Sequence, residues 1–322
     1  MTILLTGAAG FIGMHVAEVL LARGERVIGV DQVTPYYDVR LKRARLARLE
    51  THKNFIFQLA NIADKETVSA IIARHPEVSR IVHLAAQPGV RHSLVDPYGY
   101  IEANVMGHLV MLEAARKVSR LTHFVYASSS SVYGANKNLP YRETDAVDHP
   151  VSLYAATKRA DELISEAYGH LFALPQTGLR FFTVYGPWGR PDMAPWLFGE
   201  AILKGQPITL YAGGTLKRDF TFVDDIAAGV VGAMDHPPTG GGPRILNIGN
   251  HRSVEVRKFL EVLEAALGRK ATIRDAPRPA TDVAETFADI EAIRALCGFE
   301  PRTPIEEGVP KFALWLRRWM GA

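Results

Sequence analysis

A chain of 322 residues has room for one large α/β domain with a smaller lobe, or for two modest domains. Its composition, 48% hydrophobic and 22% charged, is that of an ordinary soluble globular protein, and a net charge of +3 is too small an excess to point to nucleic acid. The single cysteine, Cys297, excludes an intrachain disulfide and suits a reducing, cytoplasmic compartment, while no apolar run approaches the length of a membrane span.

Residues 2–6 are an apolar run that reads as a strand rather than as a signal peptide. The turn after it is Gly7-Ala8-Ala9-Gly10-Phe11-Ile12-Gly13, and residues 11–23 carry a helical pattern closed by Gly24. Glycines at these three positions allow a tight turn, a close approach of backbone to a pyrophosphate, and near packing of helix on sheet. The helix start at Phe11 and Ile12 offers N–H groups and the positive end of a dipole to the phosphates. A glycine triplet alone is weak evidence, but here it follows a strand, opens a helix, and precedes a second strand, 26–31, that ends in an acid. That acid, Asp31, can accept from both ribose hydroxyls and would repel a 2′-phosphate. The expected cofactor is therefore NAD and not NADP, with Gln32 beside the ribose. The basic stretch Arg40-Leu41-Lys42-Arg43-Ala44-Arg45-Leu46-Ala47-Arg48 has leucine and alanine at helical spacing and predicts a solvated amphipathic helix.

A third strand at 54–58 places Asn61 and Ile62 to meet the adenine. After a helix at 65–74, a fourth strand at 80–84 runs into Leu84-Ala85-Ala86-Gln87, whose small residues suit backbone passing under the cofactor. A helix at 100–117 carries Asn104, counted with the cofactor set. A fifth strand at 123–127 leads into the serine run Ser128–Ser131. Tyr154-Ala155-Ala156-Thr157-Lys158 then opens a helix that extends to 172. A free tyrosine, with a pKa of ~10, is a poor base at neutral pH. An ammonium one turn along the same helix face, together with a positive nicotinamide, favours its phenolate form. A serine hydroxyl can hold the substrate oxygen whose proton Tyr154 takes. Tyr-x-x-x-Lys arises often by chance; the glycine turn and the serine run give it weight. His15, His83, His92 and His108 have no metal-ligand spacing and are read as packing or surface residues, so no metal is expected.

A sixth strand at 176–182 comes next, after which proline and glycine clusters separate helices at 194–203, 225–234, 256–267 and 305–319. Strand–helix alternation with nearly continuous apolar strands implies an α/β fold. The expected form is a doubly wound parallel sheet of the Rossmann type with a smaller α/β C-terminal substrate lobe. Residues 1–182 are expected to hold the dinucleotide, with 220–248 folding back onto them, and 183–219 with 249–322 to form the substrate lobe.

The chain resembles the extended short-chain dehydrogenase/reductases that act on nucleotide sugars, and within them most closely the UDP-glucuronate 4-epimerases. The resemblance runs nearly end to end. It is carried by Thr6 through Gly13, Tyr36-Tyr37-Asp38 with Leu41-Lys42-Arg43-Ala44-Arg45-Leu46, His83 through Arg91, Ser128 through Gly134, and Tyr154 through Lys158. Arg180-Phe181-Phe182-Thr183-Val184-Tyr185-Gly186-Pro187-Trp188-Gly189-Arg190-Pro191-Asp192-Met193 is its most specific stretch, and Arg218 through Asp225 is general to the extended group. The resemblance implies a catalytic set of Ser129, Tyr154 and Lys158, with Phe182 and Tyr185 near the nicotinamide. It implies that Arg218 and Arg278 bind the UDP diphosphate and that Tyr211 packs near the uracil. Thr183, Arg190, Ser130 and Ser131 would contact the sugar carboxylate, and Arg91 is counted with the substrate set. Gln32 departs from the pattern, in which Asn commonly succeeds the ribose-binding Asp.

Relatives share removal of hydrogen from C4 of the sugar and differ in the fate of the 4-keto intermediate. A 4,6-dehydratase needs an Asp-Glu pair after the catalytic Ser or Thr, and a UDP-glucuronate decarboxylase a Glu just before Val-Tyr-Gly. Here those positions are Ser130 and Ser131. The expected reaction is thus NAD-dependent 4-epimerisation of UDP-glucuronate to UDP-galacturonate. A UDP-glucose/galactose 4-epimerase, a UDP-glucuronate decarboxylase and a non-catalytic NAD-sensing protein stand as the alternatives. Apolar residues on the helices at 100–117 and 152–172 exceed what one sheet face can bury, and in relatives these helices pair across a two-fold axis, so a homodimer is expected.

Overall fold

The computed structural model describes residues 1–239, 242–279 and 283–322. Strands β1 (Thr2–Thr6), β2 (Arg26–Asp31), β3 (Phe55–Leu59), β4 (Val78–His83), β5 (His123–Ser129) and β6 (Gln176–Phe181) alternate with helices. These are α1 (Phe11–Ala22), α2 (Val39–Leu49), α3 (Lys65–Arg74), α4 (Pro97–Tyr100), α5 (Gly107–Ala115) and α6 (Leu153–Phe172). The C-terminal half adds β7 (Thr183–Tyr185), α7 (Ala194–Lys204), β8 (Pro207–Tyr211), β9 (Lys217–Arg218), β10 (Phe220–Phe222) and α8 (Val223–Asp235). It ends with β11 (Pro243–Ile248), β12 (Val254–Glu255), α9 (Val256–Leu267), β13 (Thr272–Ala276), α10 (Glu291–Cys297) and α11 (Ile305–Met320).

Seven strands form one parallel sheet in the order β11-β6-β5-β4-β1-β2-β3. Its inner strands are buried on both faces, β1 and β6 throughout their length; β1 accordingly reads as an apolar run without alternation, whereas β6 buries Gln176, Thr177 and Arg180 among its apolar residues. Helices α1 and α8 pack together on one face, where Met14, Ala17 and Leu20 meet Ile226, Val230 and Met234. On the other face Val68, Ile71 and Ile72 of α3 and Met111 and Leu112 of α5 cover Leu4, Ile28 and Ile81. The strand order reverses between β1 and β4, and such a switch point opens a crevice beyond the carboxyl ends of the strands. A third core is formed by α7, α9, α11 and the pair β8–β13 in the C-terminal half.

The turn after β1 is as tight as its glycines allow. Gly7 has φ +75°, and a Cβ built on it would lie 2.8 Å from the amide nitrogen of Ala85. A Cβ on Gly13 would lie 2.0 Å from the Gly7 carbonyl oxygen. Side chains are thus excluded from the two places where α1 and the β4 loop close around this turn.

Two expectations need correction. The predicted helix at 100–117 is interrupted: α4 gives way to a wide, π-helical turn at Ile101–Met106 before α5 begins. Within it Asn104 is buried, accepting from the Gln87 amide at 2.7 Å and donating to the Gln87 carbonyl at 3.2 Å and to Thr157 at 3.0 Å. The basic stretch is a helix, α2, but it is not solvated along its length. Lys42 is buried and Arg45 is fully buried, although Arg43 and Arg48 are exposed. Arg45 donates to the carbonyls of Ala9 (3.0 Å), Trp188 (2.6 Å) and Gly189 (3.2 Å) and to the Tyr37 hydroxyl (2.6 Å). Periodicity cannot distinguish this from a solvent-facing arginine, because the backbone acceptors come from two segments, at Ala9 and at Trp188-Gly189, that only the fold brings together.

All four tryptophans meet in one place. Trp315 of α11 lies 5.3 Å from both Trp188 and Trp196 and 6.0 Å from Trp319, centroid to centroid. Trp188 itself sits at φ +63°, a conformation uncommon for a bulky side chain, between the Arg45 bond to its carbonyl and the Arg48 guanidinium 5.4 Å from its ring. Among the described residues no helix is long and apolar enough to cross a membrane.

Candidate active site

The crevice is a pocket of about 850 Å³. One end is formed by the glycine turn, Phe11, Ile12, Asp31, Gln32, Asn61, Ile62 and Leu84-Ala85-Ala86-Gln87. The Asp31 carboxylate is held in place by the amides of Ala9 (3.0 Å) and Val33 (2.7 Å), which leaves its remaining lone pairs as acceptors at the wall. Lys42 lines the same wall, donating to Thr34 at 2.8 Å, and burial lowers its pKa. The spare backbone of the turn, the start of α1 and the Asp31 acceptor match the needs of a dinucleotide diphosphate and ribose.

The middle of the pocket holds Ser129, Ser130, Ser131, Tyr154, Lys158 and Phe182. Ser152 caps α6 by accepting from the Ala155 amide at 3.1 Å, which fixes Tyr154 in the first turn of the helix. Lys158 is buried and donates to the Ala127 carbonyl and to Asp161, each at 3.0 Å. The Ser129 hydroxyl oxygen accepts from the Ser131 amide at 3.2 Å and donates to the Ser131 hydroxyl at 3.2 Å. The Ser128 hydroxyl is engaged by Glu162, to which it donates at 2.6 Å; Glu162 in turn forms a buried pair with Arg180 at 2.8 and 2.9 Å. Phe182 is packed beside the rings of Tyr133 and Tyr141.

At the far end Thr183, Arg190 and Arg218 reach the pocket. Arg190 bonds Asp192 through Nε at 3.0 Å and Nη2 at 2.5 Å, and Tyr36 donates to the same carboxylate at 3.0 Å. Burial works against both charges, but the pair outweighs it: Arg190 is held protonated and the Asp192 carboxyl stays below its usual range. Nη1 of Arg190 is not engaged by any described group. Arg218 donates to the carbonyls of Lys217 (2.8 Å) and Ala284 (3.4 Å).

Five expected residues stand outside the lining. Asn104 lies one layer behind, where it holds the backbone of Gln87. Tyr185 is buried in the third core against Phe220, Phe222 and Phe259. Arg91 and Tyr211 lie together, guanidinium 4.9 Å from ring centre. Arg278 is exposed. Residues that sequence reasoning did not place in the site are Tyr36, Asp192, Asp161 and Arg45. The first two and Arg45 sat inside motifs already noticed, but nothing in their spacing shows that they converge. Among the described residues no group of His, Cys, Asp and Glu could hold a metal ion.

The profile of the NAD dependent epimerase/dehydratase family matches residues 3–249. The chain belongs to that family. This family member is 43% identical to a probable UDP-glucuronate 4-epimerase of Rhizobium meliloti, covering 98% of this chain and 96% of that one. It is equally 43% identical to UDP-glucuronate 4-epimerase 3 of Arabidopsis thaliana, across 98% of this chain and 76% of the plant protein. Its fold is similar to that of the Bacillus cereus UDP-glucuronic acid 4-epimerase in complex with UDP-glucuronic acid and NAD. There the TM-score is 0.92, with 32% identity over 99% of this epimerase/dehydratase and 100% of that chain.

Proposed function

We propose that the protein is an NAD-dependent 4-epimerase that interconverts UDP-glucuronate and UDP-galacturonate through a transient 4-keto sugar. The observation that carries this is one pocket holding Tyr154, Lys158 and Ser129 beside Ser130, Ser131, Thr183 and the charged Arg190, with serines where a dehydratase or decarboxylase needs carboxylates. The similarity to the bacterial and plant UDP-glucuronate 4-epimerases favours the same reading over the neutral-sugar and decarboxylating alternatives.

NAD fits the residues of the first end of the pocket: Gly7, Gly10 and Gly13 with the start of α1 would hold its diphosphate, and Asp31 its ribose. When bound, it supplies reversible uptake of the C4 hydrogen with its electron pair. The chain does the rest. Tyr154 takes the proton of the 4-hydroxyl, and Ser129 orients that oxygen with a hydroxyl itself fixed by Ser131. The Lys158 ammonium favours the anionic form of the tyrosine. A 4-keto glucuronate is a β-keto acid, and it loses carbon dioxide when its carboxylate bond aligns with the carbonyl π system. Hydroxyls of Ser130, Ser131 and Thr183 and the open Nη1 of Arg190 restrain that carboxylate. The keto sugar turns over and is reduced on its other face, so no net redox change results.

In this reading residues 1–182 with 220–248 serve the dinucleotide, and 183–219 with 249–322 serve the nucleotide sugar, where Arg218 and Arg278 would face the diphosphate. Exposed apolar side chains at Tyr98, Ile101 and Met106 and at Leu163, Leu171 and Phe172 of α6 support a homodimer through these helices. A lone thiol, Cys297, suits the cytoplasm. Incubation of the purified protein with UDP-glucuronate and chromatographic analysis of the products tests the activity. UDP-galacturonate without accumulation of reduced cofactor is expected; UDP-pentose as main product, or turnover of UDP-glucose alone, overturns it.

A further inference from the structure

We propose that Asp161 is a positioning residue for catalysis: it is the buried counter-charge of Lys158 and sets how strongly that ammonium acts on the Tyr154 hydroxyl. The inference rests on the Tyr154–Lys158 couple of the proposed function but not on the identity of the sugar. Asp161 is 1% exposed and Lys158 4%. Oδ2 of Asp161 accepts from Nζ of Lys158 at 3.0 Å, while Oδ1 is buried without a hydrogen-bond partner. An isolated ammonium one turn from a tyrosine acts on it with its full charge. A carboxylate 3.0 Å from the nitrogen offsets that charge, and burial keeps water from screening either group.

The surroundings leave this pairing undisturbed. His83 from β4 and His108 from α5 are kept neutral by burial, and the Lys158 charge adds to the effect. Tyr126 from β5 stays protonated, again through burial. Glu162, next to Asp161 on α6, is occupied by Arg180 from β6 and by Arg159. Burial raises the Asp161 carboxyl to about 6, against the pull of Lys158. As acid is added, Asp161 takes up a proton and releases Lys158 from its counter-charge.

The Asp161→Asn variant, of nearly equal shape, tests this on the NAD-loaded protein. Ultraviolet difference titration against Tyr154→Phe reads the phenolate directly, without substrate. Its midpoint should move to lower pH by roughly one unit, as expected for removal of a neighbouring negative charge. The acid limb of kcat/KM should move in the same direction. A changed melting temperature with midpoint and limb unmoved makes Asp161 a purely structural residue and overturns the proposal. Asp161→Ser supplies a second variant with the same expectation. The wild-type titration is itself a test: coupling to Asp161 stretches the curve beyond that of a single proton, whereas a curve of unit slope overturns the coupling. Absence of UDP-galacturonate formation would refute the assigned sugar while leaving the phenolate result to judge Asp161.

Discussion

At the scale of single residues, the site separates groups that react from groups that hold. Replacing Tyr154 with Phe removes only the hydroxyl, so folding and dinucleotide binding should persist while turnover falls by orders of magnitude. Steady-state kinetics beside a cofactor-binding titration checks both halves. Arg190 is a finer case. Two of its nitrogens are committed to Asp192, so the pair enters the site nearly neutral, with Nη1 left for a substrate carboxylate. Loss of a charge-assisted hydrogen bond typically costs about 1.5–3 kcal/mol, or roughly tenfold to over a hundredfold in kcat/KM. Arg190→Ala should weaken use of UDP-glucuronate by that order, leave any trace turnover of UDP-glucose unchanged, and raise the UDP-pentose released per turnover. Equal loss on both sugars with no extra pentose would make Arg190 a loop residue.

At the scale of elements, α2 is the informative case. Its sequence is a plain basic amphipath, yet only two positions separate the exposed Arg43 from Arg45, which ties the glycine turn to the loop before Arg190. Arg43→Ala should alter stability by less than about 0.5 kcal/mol. Arg45→Met strands several buried carbonyls, each worth about 1–3 kcal/mol when unpaired, and should lower stability by several kcal/mol in urea denaturation. Strands β1 and β2 were legible from the sequence because burial on both faces writes itself as apolar runs, and the others from short apolar or aromatic stretches between helical patterns. The glycine turn, Asp31 and the Tyr154–Lys158 spacing were legible because local geometry dictates them. Arg45 and the Tyr36–Asp192 contact were not, since their partners come from distant segments, and the i,i+3 spacing of Lys158 and Asp161 does not show that the pair is buried. The π-helical turn was equally hidden, as Ile101–Met106 shows ordinary helical periodicity and only the reach of Asn104 toward Gln87 reveals the wider turn.

At the scale of the whole molecule, acid should unfold the protein through its buried histidines. His123 meets the Met234 carbonyl through Nδ1 at 2.9 Å and the Thr177 hydroxyl through Nε2 at 2.8 Å, contacts that a neutral ring satisfies by donating to the first and accepting from the second. Burial lowers its pKa to about 4, and lowers that of His83 to about 3. The unfolded chain, with histidine near ~6.5, binds protons first as pH falls. The stabilisation is therefore complete above ~6.5 and is lost progressively as pH drops through about 4. Melting temperature measured across that range should fall, and His123→Gln should flatten the fall whatever it does to the temperature at neutral pH. The tryptophan cluster has a separate consequence. With every indole of the chain in van der Waals reach of the next, excitation is shared, and emission under selective excitation reports a single location, the junction of the C-terminal helix with the segment leading to Arg190. A sugar nucleotide that draws this segment inward changes one optical signal rather than an average over four scattered ones. Stopped-flow emission can then time the arrival of substrate separately from the hydride transfers that come after it.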